Sequence, residues 1–162
     1  MHLNQHFNVI MRRIFAAVAA ILFCALPSFA QGKLNESADN ILGKYRAVQG
    51  GEVSNTQVSK EADGTYTIKV IWLENDKEAN GQKKLDVKNP DKSLRNVPAD
   101  KIVLVKGLKY NKDKKQWGDA KIYDPTRGIK ANCTVKFTDD GRLSIRGQVM
   151  GIGETVYWTK LD

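Results

Sequence analysis

The stretch W-G-D-A-K-I-Y-D-P-T-R-G, residues 117–128, reads as a strand that runs into a tight turn. Asp124 suits the first turn position, because its side chain can accept a hydrogen bond from a backbone N–H two residues further on. Pro125 sets the next φ angle, and Gly128 can supply the positive φ that closes the corner. Strand patterns occur on both sides of this turn, so the stretch predicts a sheet that folds back on itself here.

Alternation of apolar and polar residues continues outward from this stretch in both directions. Nine such segments, counted as about eight strands and joined mostly by short turns, predict an all-β protein, and their order favours an up-and-down antiparallel barrel. A two-sheet sandwich is the alternative, because strand count alone does not separate the two folds. The clearest segment has a period of two that no helix shows, and its apolar face carries Tyr66, Ile68, Val70 and Trp72. The predicted strands are residues 44–48, 53–61, 65–72, 101–105, 108–110, 116–124, 129–138, 142–149 and 155–161, with a short helical turn predicted over 37–43.

The first thirty residues are expected to be a secretory signal peptide. Arg12 and Arg13 precede an apolar run over residues 14–26, which is shorter than the roughly 20 residues that a resident membrane helix needs. The small residues Ser28 and Ala30 occupy the −3 and −1 positions of a cleavage site. We therefore expect an exported protein, periplasmic or secreted, that is not an integral membrane protein.

Cleavage after residue 30 would leave 132 of the 162 residues, which suits one domain with a hydrophobic core. We expect a mobile polar lead-in over residues 31–40 and a single barrel domain over 41–162. The formal charge would fall from +8 to +6, because the removed part holds two arginines and no acid. The lysines are scattered over loops without an aromatic-and-basic repeat, so the charge is interpreted as surface solvation and no nucleic-acid partner is expected.

Cys133 is the one cysteine that remains after this cleavage, which excludes an intramolecular disulfide. It shares a strand face with Val135 and Phe137 and is interpreted as a small buried hydrophobic residue. The histidines, His2 and His6, leave with the signal peptide. A histidine-activated nucleophile and a histidine metal site are therefore not expected, and we predict no catalytic residue, metal or cofactor.

The longest irregular segment, residues 74–100, carries polar side chains that could act together with others on the strands. In a functional interpretation an arginine holds a ligand carboxylate or phosphate, or two aspartates serve as acid and base in glycan hydrolysis. In a structural interpretation Asn89 and Asp91 fix the segment through an Asx turn and a helix cap at Asp91. Arg95 or Arg146 would then tie it to the barrel through an ion pair with Asp86 or Asp124. Both interpretations remain open for Asp86, Asn89, Asp91, Arg95, Tyr123, Asp124 and Arg146. The aromatics Trp72, Trp117, Trp158, Tyr66 and Tyr123 either fill the interior or line a ligand cavity there.

Several motifs occur in an order that is similar to a known family. The most specific pair is Asn89-Pro90-Asp91 followed by Leu94-Arg95, and Ile122-Tyr123-Asp124-Pro125 followed by Gly128. The others are Asp86, Gly43-x-Tyr45, Ile71-Trp72, Gly107-Leu108, Trp117, Leu143-x-x-Arg146-Gly147 and Thr155-x-x-Trp158-Thr159. Together they cover nearly all of residues 41–161, and the chain resembles the bacterial exported domain-of-unknown-function family 2147. The resemblance implies a lipocalin-like (calycin) barrel of eight strands and no established activity.

Two residues depart from this family's usual pattern at the expected closure of the barrel. Tyr45 stands where the family usually has Trp, and Lys160 stands where it usually has Arg. In calycin barrels such a pair stacks across the barrel floor, so the resemblance implies a weaker cation–π contact here, with Trp158 as a further closure candidate. Such a contact is worth about 0.5–1 kcal/mol when exposed.

Three functions are compatible with these residues. The first is non-enzymatic binding of a small hydrophobic or amphiphilic molecule in the barrel, with residues 74–100 as a lid. The second is an envelope interaction module, with a filled barrel and an outer patch around residues 89–95 that binds protein or glycan. The third, a hydrolase, would use Asp86 or Asp124 as its carboxylates.

Overall fold

The computed structural model describes residues 33–162, which form a closed barrel of eight antiparallel strands. Each strand pairs with its neighbours in sequence, and the last strand returns to pair with the first, Tyr45 lying opposite Lys160. The predicted up-and-down barrel is therefore confirmed, and the alternative of a two-sheet sandwich is excluded. The strands are β1 Gly43–Gln49, β2 Glu52–Lys60, β3 Tyr66–Leu73, β4 Val103–Asn111, β5 Gln116–Asp124, β6 Ile129–Phe137, β7 Leu143–Val149 and β8 Ile152–Leu161. The predicted signal peptide, with His2, His6 and Cys24, and the first two residues of the lead-in lie outside the described residues.

Two strand boundaries differ from the prediction. The segments predicted at 101–105 and 108–110 form one strand, β4, which accommodates Gly107 at a φ of 74°. The connection between the segments predicted at 142–149 and 155–161 is shorter than their spacing suggests, because in it Met150 and Gly151 alone have positive φ and β8 begins at Ile152. A two-residue turn with positive φ at both positions matches the twist of a β-hairpin, so the strand extends further than its glycines suggest.

A bulge in β3 reverses the expected orientation of Trp72. Val70 and Trp72 pair with consecutive residues of β2, which leaves Ile71 as an extra residue in β3. After the bulge Leu73 lines the interior, whereas Trp72 lies on the outer surface with 42% of its area exposed. The prediction that Trp72 shares a face with Val70 is therefore wrong, because a one-residue bulge exchanges the two faces of a strand.

Residues 33–42, here called the N-terminal segment, pack against the end of the barrel where β1 begins. The segment contains the predicted helical turn as a 3-10 helix, Ala38–Ile41. The polar composition of residues 31–40 predicts a mobile lead-in, but from residue 33 onward the segment makes specific contacts with distant strands. These contacts are Asn35 Nδ2 to the Phe137 carbonyl (2.9 Å), Tyr110 Oη to the Asn35 carbonyl (2.5 Å), Trp117 Nε1 to the Ala38 carbonyl (3.1 Å) and Tyr66 Oη to the Asp39 carboxylate (2.5 Å).

The opposite end of the barrel, here called the mouth, carries the turns after β1, β5 and β7 and a long loop over residues 74–102. This long loop has local order of its own, with 3-10 helices Lys92–Leu94 and Ala99–Lys101 and an antiparallel bridge between Leu85 and Pro98. The predicted cap is confirmed, because the Asp91 carboxylate accepts a bond of 2.9 Å from the backbone N–H of Ser93. Within residues 33–162, no helix has both the length and the apolar character needed to cross a bilayer.

Candidate functional site

A cavity of about 790 Å³ occupies the mouth half of the barrel. Its volume lies within the range of about 300–1,000 Å³ that is usual for small-molecule sites. The strands supply a mainly apolar wall because their inward positions alternate with outward polar ones. Among the inward residues that line it are Ala47, Val70, Leu104, Ile122, Ile145 and Val156.

Large side chains fill the other half of the barrel and form the cavity floor. Trp117, a ligand-binding candidate from the sequence, is fully buried there and is not part of the cavity wall. Its ring lies 5.0 Å from that of Tyr110 and 5.9 Å from that of Phe137, measured between centroids. Edge and tilted pairs of this kind add to the stability of an aromatic core. Trp117 therefore supports the floor rather than a ligand.

The closure contact implied by the family resemblance is present at the floor. Tyr45 and Lys160 are cross-strand partners, and the Lys160 ammonium lies 6.0 Å from the centre of the buried Tyr45 ring. The Tyr45 hydroxyl donates to the Ile41 carbonyl at 2.8 Å, and burial raises the pKa of this tyrosine. Trp158, the third closure candidate, lies higher in the barrel and contributes to the cavity wall.

A hydrogen-bond network, here called the loop brace, joins the long loop to β5. Asp86, which is 3% exposed, accepts bonds of 2.6 Å from the Tyr123 hydroxyl and from Nδ2 of Asn89. Asn89 in turn accepts from the backbone N–H of Asp91 at 2.9 Å and, through its carbonyl, from Nε of Arg95 at 2.8 Å. Burial first, and then the bond to Asp86, raises the pKa of Tyr123. Five of the polar candidates thus meet in one place, and they hold the loop.

The turn after β5 makes a second connection to the same loop. The Asp124 carboxylate accepts from the backbone N–H of Thr126 at 2.9 Å, as the sequence predicts for an Asx turn. Gly128 has a φ of 69°, and a Cβ atom there would lie 2.4 Å from the Lys88 carbonyl oxygen. The Lys88 ammonium donates to the Thr126 carbonyl at 2.6 Å. Only glycine allows the turn and the loop to approach this closely.

The two arginines proposed as ion-pair partners take other positions. Within residues 33–162 neither Arg95 nor Arg146 forms a salt bridge. Arg146 is exposed on the outside of β7, where its guanidinium covers Gly153 and lies 3.4 Å from the Thr155 hydroxyl. Asp86 instead accepts hydrogen bonds from neutral donors. The ion-pair partner of Asp124 is the nearby Arg127, at 3.5 Å.

The sequence profile of DUF2147, described as an uncharacterized protein conserved in bacteria, matches residues 43–160. The chain belongs to this family. Among solved structures, a Helicobacter pylori protein described as belonging to the lipocalin family matches with a TM-score of 0.58 and 24% sequence identity. The match covers 75% of this chain and 83% of that chain, and it shows that the two share a fold. No curated protein is significantly similar to the chain.

In this DUF2147 barrel the two most specific motifs are joined through Asp86. The Asn89 motif lies in the long loop and the Tyr123 motif ends β5, and Asp86 bonds to a residue of each. Asp86, Tyr123 and Asp124 also contribute to the cavity wall. These three candidates therefore lie where a ligand could touch them, whereas the remaining polar candidates only fix the loop or lie outside the cavity.

Charged residues at the mouth were not singled out in the sequence. Lys84 of the long loop pairs with Glu52 at 3.1 Å, and Arg127 pairs with Glu154 at 2.9 Å. Both pairs contribute to the cavity wall close to the turns. Their spacing in the sequence carries no signal, because each pair joins segments that only the closed barrel brings together.

Cys133 of β6 behaves as the sequence predicts. It is buried, has no disulfide partner within residues 33–162, and burial raises the pKa of its thiol to about 12. A thiol with so high a pKa is a poor nucleophile at neutral pH. Among the described residues there is also no cluster of three His, Cys, Asp or Glu side chains placed to hold a metal ion.

Proposed function

We propose that the protein binds one small hydrophobic or amphiphilic molecule inside the barrel. The observation that carries this proposal is the cavity of about 790 Å³ with its apolar wall, open at one end of the barrel. Burial of apolar ligand surface against such a wall is favourable by roughly 25 cal/mol per Å². The lipocalin-like fold supports the proposal, because eight-stranded barrels of this size can hold one small ligand.

The mouth favours a ligand with one polar end. The exposed apolar side chains of Val87, Met150 and Ile152 contribute to the cavity wall at the mouth and offer an apolar path inward. The ion pairs of Lys84 and Arg127 lie in the same region and can meet a polar group that remains near water. An amphiphile with its apolar part inward would satisfy both features.

Two neighbouring substitutions in β6 test the proposal. Ala131 lines the cavity, whereas Asn132, the next residue, is exposed and is not part of its wall. Ala131→Phe should fill part of the cavity and weaken binding of the fluorescent apolar probe N-phenyl-1-naphthylamine, whereas Asn132→Phe should leave its affinity unchanged. Titration of probe fluorescence measures both. Equal affinity in the wild type and in both variants would show that the probe binds elsewhere and would refute the cavity as the site.

The alternative functions receive less support from the same geometry. An envelope module that works through its outer surface predicts a filled barrel, and the cavity argues against that. A hydrolase using Asp86 or Asp124 needs carboxyl groups directed to a substrate, but both accept hydrogen bonds that fix the loop and the turn. These contacts support structural roles for the two aspartates.

We also propose that the protein works outside the cytoplasm. The support is the pattern of residues 1–30, with two arginines, an apolar run and small residues before Gln31. Intact-mass measurement of protein from a periplasmic fraction or from the medium should give a chain that begins at Gln31. Recovery of the uncut chain in the cytoplasm alone would contradict the proposal.

A further inference from the structure

Trp158 has an unusual position in the cavity wall. Its side chain is 4% exposed, it lies opposite Leu143 of β7, and it is the wall residue of β8 that lies furthest from the mouth. Its ring therefore stands where the cavity meets the filled half of the barrel. A molecule that enters through the mouth reaches Trp158 with its leading end.

The indole N–H of Trp158 has no acceptor within residues 33–162 and is covered from solvent. Trp117, the other buried tryptophan, shows the usual arrangement, since its indole N–H donates to the Ala38 carbonyl at 3.1 Å. Buried tryptophans normally find such a partner, because an unpaired buried donor costs free energy. An indole N–H without an acceptor is therefore unusual, and this one lies at the inner end of the cavity.

The surroundings decide which acceptor fits. The basic residues of the cavity wall, Lys84, Lys88 and Arg127, all belong to the long loop or the β5–β6 turn at the mouth. Lys160, two residues beyond Trp158, lies over the Tyr45 ring at the closed end and is not part of the wall. A carboxylate or phosphate beside Trp158 would be buried without a cation, which is unfavourable. A neutral oxygen can accept the bond without this cost.

We propose that the bound molecule carries a neutral oxygen acceptor (ketone, ester, ether or hydroxyl) near its inner end, and that Trp158 Nε1 donates a hydrogen bond to it. This inference rests on the proposed function and adds a chemical requirement to the ligand. Contact with Nε1 requires a small movement of the side chains that cover it, as is common when a pocket is filled. Trp158 thereby distinguishes an oxygen-bearing ligand from a plain hydrocarbon of similar shape.

The test compares two probes of similar shape, benzylacetone, which has a ketone, and n-butylbenzene, which does not. The three tryptophans give three indole N–H resonances in a ¹⁵N–¹H spectrum, assigned by Trp158→Phe and by Trp72→Phe at an exposed site. In the wild type the ketone should move the Trp158 resonance downfield, and the hydrocarbon should not. The Trp117 resonance, whose N–H is already bonded, serves as an internal control.

Affinities from displacement of N-phenyl-1-naphthylamine give a second measurement. The preference of the wild type for benzylacetone over n-butylbenzene should fall by about 5-fold in Trp158→Phe, as expected for the loss of one ordinary hydrogen bond. If Trp158→Phe does not fold, the indole resonances of the wild type are assigned by triple-resonance spectra, and their shifts decide the question. If neither probe binds the wild type, the proposed function fails as well.

Three other results would overturn the inference while leaving the proposed function intact. The first is binding of both probes with no ketone-specific movement of the Trp158 resonance. The second is an unchanged preference in Trp158→Phe. The third is a Trp158 resonance that already has a hydrogen-bonded shift before any probe is added, since the acceptor would then be water.

Discussion

At the scale of single residues, Asp86 and Tyr123 carry the connection between the long loop and the barrel. Both are buried, and they lie 37 positions apart in the sequence while their oxygens are 2.6 Å apart. A buried carboxyl group depends on donors from the protein, because water cannot replace them. The stability of the loop brace should therefore respond to the loss of one hydroxyl group.

Tyr123→Phe removes only that hydroxyl and leaves one Asp86 oxygen unpaired. We expect the free energy of unfolding to fall by about 1–3 kcal/mol, the usual cost of an unpaired buried polar group. Tyr157→Phe is the matched control, since Tyr157 is half-exposed on β8. Urea unfolding followed by fluorescence measures both changes. Equal stability losses in the two variants would show that the Tyr123–Asp86 bond contributes nothing specific.

Alanine substitutions at two glycines with similar φ angles distinguish the cost of backbone strain from the cost of a steric clash. Gly64 has a φ of 82° and open space around its Cβ position, whereas Gly128 has a φ of 69° and the Lys88 carbonyl 2.4 Å away. Gly64→Ala should lower the free energy of unfolding by about 1–2 kcal/mol through the left-handed angle alone. Gly128→Ala should cost a further 1–3 kcal/mol or so, because the loop must move.

Chemical denaturation of the two alanine variants provides the comparison. If Gly128→Ala costs no more than Gly64→Ala, then the turn and the long loop do not touch as described. If it costs more, the probe affinity of the cavity should change as well, because Lys88 and Thr126 both contribute to its wall.

At the scale of elements, the N-terminal segment acts as a seal for the closed end. Its side chains and carbonyls form hydrogen bonds with residues of β3, β4, β5 and β6. Without the segment, the donors of these strands would be unpaired at the barrel end. Buried polar groups need such partners. We therefore expect the segment to contribute to stability despite its polar composition.

Asn35→Ala tests this contribution. Asn35 exchanges two hydrogen bonds, 2.9 and 2.8 Å long, with the backbone of Phe137, and their loss should cost about 1–2 kcal/mol. Asn80→Ala, in the exposed part of the long loop, is the control. Hydrogen exchange of the Trp117 indole, which bonds to Ala38, should be faster in Asn35→Ala only. Unchanged exchange would mean that the segment does not seal the floor.

At the scale of the whole molecule, buried tyrosines make the fold sensitive to alkali. Burial is the main cause that raises the pKa of Tyr45, Tyr66 and Tyr123, and bonds to Asp39 and Asp86 raise it further for the last two. An unfolded tyrosine loses its proton near pH 10, whereas these three keep theirs to higher pH in the native state.

The native state therefore binds more protons than the unfolded state above about pH 10, and stability must fall as the pH rises there. We expect the free energy of unfolding to decrease by up to about 1.4 kcal/mol per pH unit for each tyrosine. Urea unfolding at a series of pH values between neutrality and strong alkali measures the slope. Tyr123→Phe should have a shallower slope than the wild type; identical slopes would rule out a contribution from this hydroxyl.

The sequence by itself determined the features that depend on near neighbours in the chain. Alternation at a period of two indicated the strands, Asp124 and Asp91 indicated an Asx turn and a helix cap, and Cys133 was placed inside correctly. Family motifs then indicated the barrel and the Tyr45–Lys160 contact. Each of these follows from preferences that act over a few residues or from a pattern shared with relatives.

Only the tertiary structure decided what lies inside the barrel. The bulge that turns Trp72 outward, the floor around Trp117, the N-terminal seal and the unpaired N–H of Trp158 all depend on the register between strands. That register is a property of pairs far apart in the chain, and one extra residue exchanges the two faces of a strand. The cavity and its floor could therefore be known only once the eight strands were closed into a ring.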